Sequence, residues 1–313
     1  MEIHPENEPL LSKDNENEIY INIKNVKNNK KSKEQIINKN CYDCFEYICF
    51  CCYNYDITQN QYESHLSLSK KCSIPYNPQD ESHEKLLLDF FTTIKELVPK
   101  IEKEEDEEEY NLMDKEDSNN INTENENNNI IKELSQRIGF QNEDPRTDFR
   151  AGGVFSLEFM NYFINNYKND SRNILKEQYF PFGIVCINLC YKICLILHLV
   201  DKEKVESQLK INKIKGCTRK EMKNFCEHLE NEEESDLLLL IISICLSFVF
   251  AKYSNNFDVS KKNENLLIIN EIIDNSLEHL RKTLRIIKKN EKIGDKLFKE
   301  LTKAKNEKII IKS

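Results

Sequence analysis

The sequence predicts an all-α fold: a single helical domain over residues 75–290, with disordered additions. Three observations carry that expectation. Apolar residues recur at short helical intervals from Ser82 almost to the end of the chain. No strand-like alternation of useful length appears. Polarity is also uneven, with Asn, Lys, Glu and Asp crowding residues 1–40 and 102–129 and an ordinary globular composition elsewhere.

Residues 1–40 lack a sustained apolar period and are predicted to be disordered. Residues 41–74 read as a Cys-rich and polar leader. Ser82–Pro99 reads as an amphipathic helix, with Leu86, Leu88, Phe91, Ile94 and Leu97 set among Glu84, Lys85, Lys95 and Glu96. Pro99 is expected to end it, because proline disfavours helix in the residue before it. Residues 102–129 are too polar to pack and too long for a usual helix connection, so they are predicted to be a disordered insert.

From Ile131 the pattern is helical. Gly153 precedes a helix running to about Tyr167, with Val154, Leu157, Met160 and Ile164 on one stripe. Phe155, Phe159 and Phe163 widen that stripe, which predicts burial on most sides. Pro181 suits the first position of the next helix, where its missing N–H costs nothing. Thr218 can cap a helix through Leu229, and Glu221 completes a capping box. An apolar helix follows over Glu234–Tyr253. Leu266, Ile269, Ile273, Leu277, Leu280, Leu284 and Ile287 mark the last, and residues 291–313 read as a basic tail.

Two apolar runs invite comparison with membrane spans. Leu237–Ala251 has 15 residues, short for a bilayer, and Phe180–Val200 contains Asn188, Lys192 and His198. Both read as buried helices, with His198 as a satisfied core histidine. The net charge is −9, and Glu102–Glu109, with seven acids and one lysine, supplies −6 of it. The folded remainder is near neutral and offers no nucleic-acid footprint. Twelve cysteines are too few for a disulfide scaffold. The N-terminus is acidic and polar, unlike a secretory leader. The expectation is a reducing, cytoplasmic setting with free thiols.

Several chemistries lack their motifs. None of the six glycines is spaced as a phosphate-binding or dinucleotide-binding loop. No H-E-x-x-H or G-x-S-x-G occurs, and Asp148-Phe149-Arg150 lacks the other kinase elements. Cys41, Cys44, Cys49, Cys51 and Cys52 cluster, but their pairs are too close together for a usual zinc module, so no metal is expected. S-acylation with peripheral membrane contact through Cys41–Cys52 is a livelier option than zinc, and a reduced, partly buried apolar segment is the favoured reading.

Arg137–Gly153 is the segment where acids, arginines, glycines and aromatics converge without low complexity. Gly139 and Pro145 mark turns around a polar loop. Thr147 and Asp148 can bond nearby backbone N–H groups and stiffen it. Arg150 then sits on an ordered edge just before a helix, either aimed outward at a partner or bracing the loop by pairing with Asp144 or Asp148.

Gly139-Phe140-Gln141, Asp144-Pro145, Thr147-Asp148-Phe149-Arg150 and Gly153, followed by Leu157 and Tyr162-Phe163, resemble the signature of the ELMO (engulfment and cell motility) domain. The likeness is greatest to the ELMO-domain-only group of GTPase-activating proteins. Tyr179, Pro181, Phe182, Val185, Ile187 and Asn188 extend it downstream, and His83–Leu87 and Leu97–Pro99 upstream. Ser135 stands where the family has a Trp, and Ala151 where it has a Gly.

The resemblance implies that the chain activates GTP hydrolysis on an Arf or Arf-like small GTPase, peripheral to endomembranes. It implies Arg150 as the catalytic arginine supplied in trans. Gln141, Asp144, Thr147, Asp148 and Gly153 would support its loop, and Phe140 and Phe149 would anchor it. No cofactor of its own is implied, since the partner carries GTP and Mg²⁺. Some family members lack the arginine and act as scaffolds or adaptors, which is the alternative implication.

Overall fold

The computed structural model describes residues 57–105, 123–177, 179–200, 216–229, 234–257 and 262–305. The chain divides into two units, residues 1–55 and 56–313, and every described residue belongs to the second. The expectations for residues 1–40, the Cys41–Cys52 cluster and the centre of the insert lie outside the described residues.

Those residues form an all-α bundle with no strand among them. Its helices are α1 (Gln59–Cys72), α2 (Glu81–Glu105), α3 (Thr123–Arg137), α4 (Gly153–Asn166), α5 (Lys168–Lys176), α6 (Phe182–Ile196), α7 (Arg219–Leu229), α8 (Glu234–Asn256), α9 (Lys262–Ile286) and α10 (Ile293–Ala304). A 3-10 turn, Pro145–Arg150, stands between α3 and α4.

Helix α8 occupies the centre and packs against α1, α4, α6, α9 and α10. Its 21-residue stretch Asp236–Asn256 is long and apolar enough to cross a membrane, but two thirds of its most apolar window is buried against these neighbours. Leu238, Ile241, Ile242, Cys245, Leu246 and Val249 are fully enclosed. A helix apolar on all faces is stable in water only when partners surround it. Helices α3, α4 and α5 each pack on α2, and α7 and α10 each pack on α9.

Local chemistry explains several boundaries. The capping box at α7 forms as expected: Thr218 N–H donates to Glu221 Oε2 at 2.7 Å, and Glu221 N–H to Thr218 Oγ1 at 3.5 Å. Glu221 is also buried against Arg281 and Arg285 of α9, which ties the two helices together. An unanticipated capping box starts α1, where Thr58 and Gln61 exchange bonds. Helix α6 ends with His198 in the left-handed region (φ 54°), and the Leu199 and His198 N–H groups bond back to Cys194 and Leu195. His65 and Ser69 of α1 hydrogen-bond the Leu197 and Leu199 carbonyls at this end. His198 bonds the Cys217 carbonyl at 3.1 Å, so it is satisfied as the sequence suggested.

Five expectations need correction. Helix α2 does not stop before Pro99 but continues to Glu105, because a proline costs one backbone bond without forbidding further turns. The supposed insert is therefore helical at both edges, through Glu105 and from Thr123. The polar leader contains α1, whose Gln61, His65, Leu68 and Cys72 are buried. The basic tail contains α10, which buries Ile293, Leu297, Leu301 and Ala304 while its lysines face water. Pro181 is the N-cap of α6 rather than its first residue.

Candidate functional site

The loop from α3 to α4 begins at a sharp stop. Gly139 has φ +80°, the Phe140 N–H bonds the Ser135 carbonyl and the Gly139 N–H bonds that of Gln136. This double bond pattern closes a helix end, and the left-handed residue within it favours glycine. A Cβ here would fall 2.3 Å from Pro181 Cα, so the close crossing of the α6 start also requires glycine. Phe140 is thereby delivered into the core, 6% exposed. Ser135, which stands at the family's Trp position, is fully buried and bonds the Ile131 carbonyl.

The 3-10 turn follows. Asp144 caps it by accepting the Arg146 N–H at 3.1 Å, with Pro145 in its first turn. Asp148 points inward and accepts the Gln141 N–H through Oδ2 at 2.8 Å, closing the loop across its base. Its Oδ1 is buried without a partner. Burial pushes the Asp148 carboxyl above the usual carboxylate value, against the pull of the Gln141 N–H and the Arg150 charge. Phe149 is fully buried, with the Tyr76 ring stacked on it at 5.1 Å and Phe140 edge-on at 5.9 Å.

Two arginines on this one turn have opposite fates. Arg146 reaches back to Glu84 in the first turn of α2, with Nη2 at 2.6 Å from Oε2 and Nε at 2.9 Å from Oε1. Its Nη1 meets Asp144 at 3.1 Å, and the Tyr76 hydroxyl donates to Glu84 at 2.6 Å. Burial opposes ionisation of Glu84, but the Arg146 and Tyr76 hydrogen bonds outweigh it and hold the carboxyl below its ordinary value. Arg150 is exposed. Its Nε donates to the Thr147 carbonyl at 2.8 Å, and among the described residues it forms no ion pair. The nearby acids are engaged elsewhere, Asp144 with Arg146 and Glu143 with Lys132 at 2.8 Å.

The loop leaves as rigidly as it enters. Ala151 has φ −88°, an ordinary value that alanine tolerates, so its departure from the family's glycine is unstrained. Gly153 has φ +56°, and a Cβ there would meet the Ile74 carbonyl oxygen at 2.3 Å. That oxygen accepts the Val154 N–H at 3.1 Å, which fastens the start of α4 to the α1–α2 linker.

The structure thus brings Arg150, Gln141, Asp144, Thr147, Asp148 and Gly153 together in one loop, with Phe140 and Phe149 beneath it. Gln141 closes the loop through its backbone N–H while lying exposed. Thr147 differs from the expectation: among the described residues it accepts no backbone N–H but donates to the Asp144 carbonyl at 3.4 Å. The bracing arginine is Arg146, not Arg150. Tyr76 and Glu84, more than 60 positions away in the chain, complete the brace, and no spacing rule reaches that far. An acid in the first turn of α2 reads equally well as a partner of the helix dipole.

A family model described as the ELMO/CED-12 family matches residues 66–257. ELMO domain-containing protein B of Dictyostelium discoideum is 41% identical over 69 residues, which is 21% of this chain and 23% of that protein. ELMO domain-containing protein 2 of Homo sapiens is 42% identical over 57 residues, 17% of this chain and 20% of that protein. The chain therefore aligns with less than a quarter of these relatives' length. No solved structure matches.

Proposed function

The chain belongs to the ELMO/CED-12 family, and from that premise we propose that it accelerates GTP hydrolysis on an Arf-family small GTPase, with Arg150 as the arginine it inserts. The observation that carries this reading is Arg150 itself: exposed, free of ion pairs among the described residues, and mounted on a turn that a different arginine braces.

Catalysis of phosphoryl transfer is mostly positioning and charge stabilisation. The GTPase supplies Mg²⁺, the phosphate-binding loop and the residue that orients water. An arginine entering in trans adds donors and charge at the β- and γ-phosphate oxygens, worth about 10³ to 10⁵ in rate. That is roughly 4 to 7 kcal/mol of barrier. The Nε bond to Thr147 restrains the guanidinium plane and, among the described residues, leaves both terminal nitrogens unpartnered, the edge that a phosphate takes in bidentate fashion. Gln141, Asp144, Thr147, Asp148 and Gly153 act through the loop's shape.

The test is GTP hydrolysis by a panel of Arf and Arf-like GTPases, each with and without this protein. Acceleration that disappears with Arg150→Ala supports the reading. Binding to GTP-loaded partners without acceleration favours an adaptor instead.

A further inference from the structure

Both ends of the Arg150 loop are fastened to one short stretch of chain, the linker between α1 and α2 and the first turn of α2. At the exit, the Ile74 carbonyl accepts the Val154 N–H at 3.1 Å. At the entry, Glu84 takes the Arg146 guanidinium on both carboxylate oxygens. Tyr76 joins the two fastenings, since its hydroxyl bonds Glu84 at 2.6 Å while its ring stacks on Phe149, the residue next to Arg150. Six residues of 3-10 turn carry weak local bonding of their own. The direction of Arg150 is therefore set by what grips the turn.

We propose that Glu84 and Arg146, bridged by Tyr76, are positioning residues that hold the Pro145–Arg150 turn so that Arg150 presents in one orientation. The proposal rests on the reading of Arg150 as an arginine supplied in trans. Its physical basis is that catalytic groups lose about 10²-fold in rate when misplaced by about 1 Å, even if binding persists. The Glu84–Arg146 contact suits such a task. A bidentate carboxylate–guanidinium pair fixes an angle as well as a distance, and this one is half-buried, with side-chain exposures of 31% and 22%. Among the described residues the pair shares no hydrogen bond or ion pair with Arg150, so it can direct that group without competing for it.

Three variants separate positioning from mere support. Glu84→Gln preserves shape but removes the charge, Arg146→Lys keeps charge but loses the fork, and Tyr76→Phe removes one hydroxyl while keeping the ring stack. Each is compared with wild type and Arg150→Ala for melting temperature, affinity for a GTP-analogue-loaded Arf-family GTPase and single-turnover hydrolysis at saturating activator. The Arg150 Nε–H resonance of the isolated protein is recorded as well. Glu84→Gln and Arg146→Lys are expected to lower the saturated rate about 10- to 100-fold, with affinity within about 3-fold and the Arg150 Nε–H signal lost or shifted. Tyr76→Phe is expected to lie between them and wild type. Wild-type saturated rates in Glu84→Gln and Arg146→Lys overturn the proposal, as does a proportional fall of affinity, rate and melting temperature. Full activation by Arg150→Ala instead removes the underlying reading, a result distinguishable because it arises in a different variant.

Discussion

Arg146 and Arg150 sit four residues apart on one 3-10 turn and do opposite work. Arg146 is locked to Glu84 at 2.6 Å, whereas Arg150 is exposed and, among the described residues, holds only the Thr147 carbonyl. Among the described residues Arg150 forms no ion pair with Asp144 or Asp148, although its charge still acts on the Asp148 carboxyl. Asp144 pairs with Arg146, and Asp148 turns inward to the Gln141 N–H.

Arg150→Ala is expected to cut stimulated GTP hydrolysis by about 10³-fold or more. Its melting temperature is expected to stay within about 2 °C of wild type, as for other exposed substitutions. Arg150→Lys is expected to fail nearly as badly, because an ammonium keeps the charge without the planar fork. Partner affinity falls less than rate, since these contacts are strongest in the transition state. Single-turnover kinetics and thermal melts on the same preparations check all three.

Gly153→Ala is expected to destabilise the domain by about 2 kcal/mol or more, whereas Ala151→Gly costs about 1 kcal/mol or less. Both positions flank the same turn, but their backbones differ: φ is +56° at Gly153 and −88° at Ala151. The added methyl at Gly153 also collides with the Ile74 oxygen that receives the Val154 N–H. Urea unfolding of the two variants gives the comparison, and equal stabilities would contradict it.

Stability is expected to decline as pH falls from about 6.5 to about 4, a window that opens well above the ordinary carboxylate value of 4.5. Burial lowers the His65 pKa from 6.5 to about 4, opposed by its bond to the Leu197 carbonyl and assisted by His198. The unfolded chain therefore takes up this proton first, and each step downward in that window favours unfolding. The loss amounts to about 3 kcal/mol by linkage. His198, also lowered by burial, acts in the same direction. Glu84 and Glu221 are held below their ordinary value of 4.5, so their contributions are present above it and are lost only at lower pH. Unfolding free energy measured between pH 7 and 4.5 should flatten in His65→Gln.

The thiols of Cys72, Cys186, Cys190, Cys194, Cys217, Cys226 and Cys245 are all buried. Burial pushes Cys186, Cys190, Cys217, Cys226 and Cys245 above the ordinary thiol value, to about 12 for Cys217, Cys226 and Cys245, and a hydrogen bond with Cys72, then burial, does the same for Cys194. They should resist a water-soluble thiol reagent at neutral pH until the protein unfolds. A protein with Cys41, Cys44, Cys49, Cys51 and Cys52 changed to Ser isolates these seven, and rapid labelling of that native protein would refute the expectation.

Periodicity recovered the helices that bury a broad stripe, such as α4 with its three phenylalanines and α9 with its leucines and isoleucines at threes and fours. It missed α1 and α10, whose apolar residues are few and spaced among lysines, serines and glutamines. The signal at α10 was present in Ile293, Leu297, Leu301 and Ala304, but lysine density hid it. Composition likewise concealed the helical edges of the segment around the acidic run. At the site, the turn residues and buried phenylalanines were legible because their roles are local. The partition between the two arginines was not, since it depends on Glu84 and Tyr76 meeting Arg146 across the fold.

The position of α8 bears on how the protein must be handled and made. The family match ends at residue 257, one residue beyond that helix, while α9 and α10 lie wholly after it. A fragment trimmed to the matched region would strip away two of α8's major neighbours and present a greasy rod to solvent. Insertion machinery and aggregation would compete for such a piece. The same exposure arises on the ribosome, where the rod emerges before the helices that sheathe it. The lysine-studded C-terminal helices thus act as the lid on a core that precedes them in time, and expression boundaries should extend through Ala304.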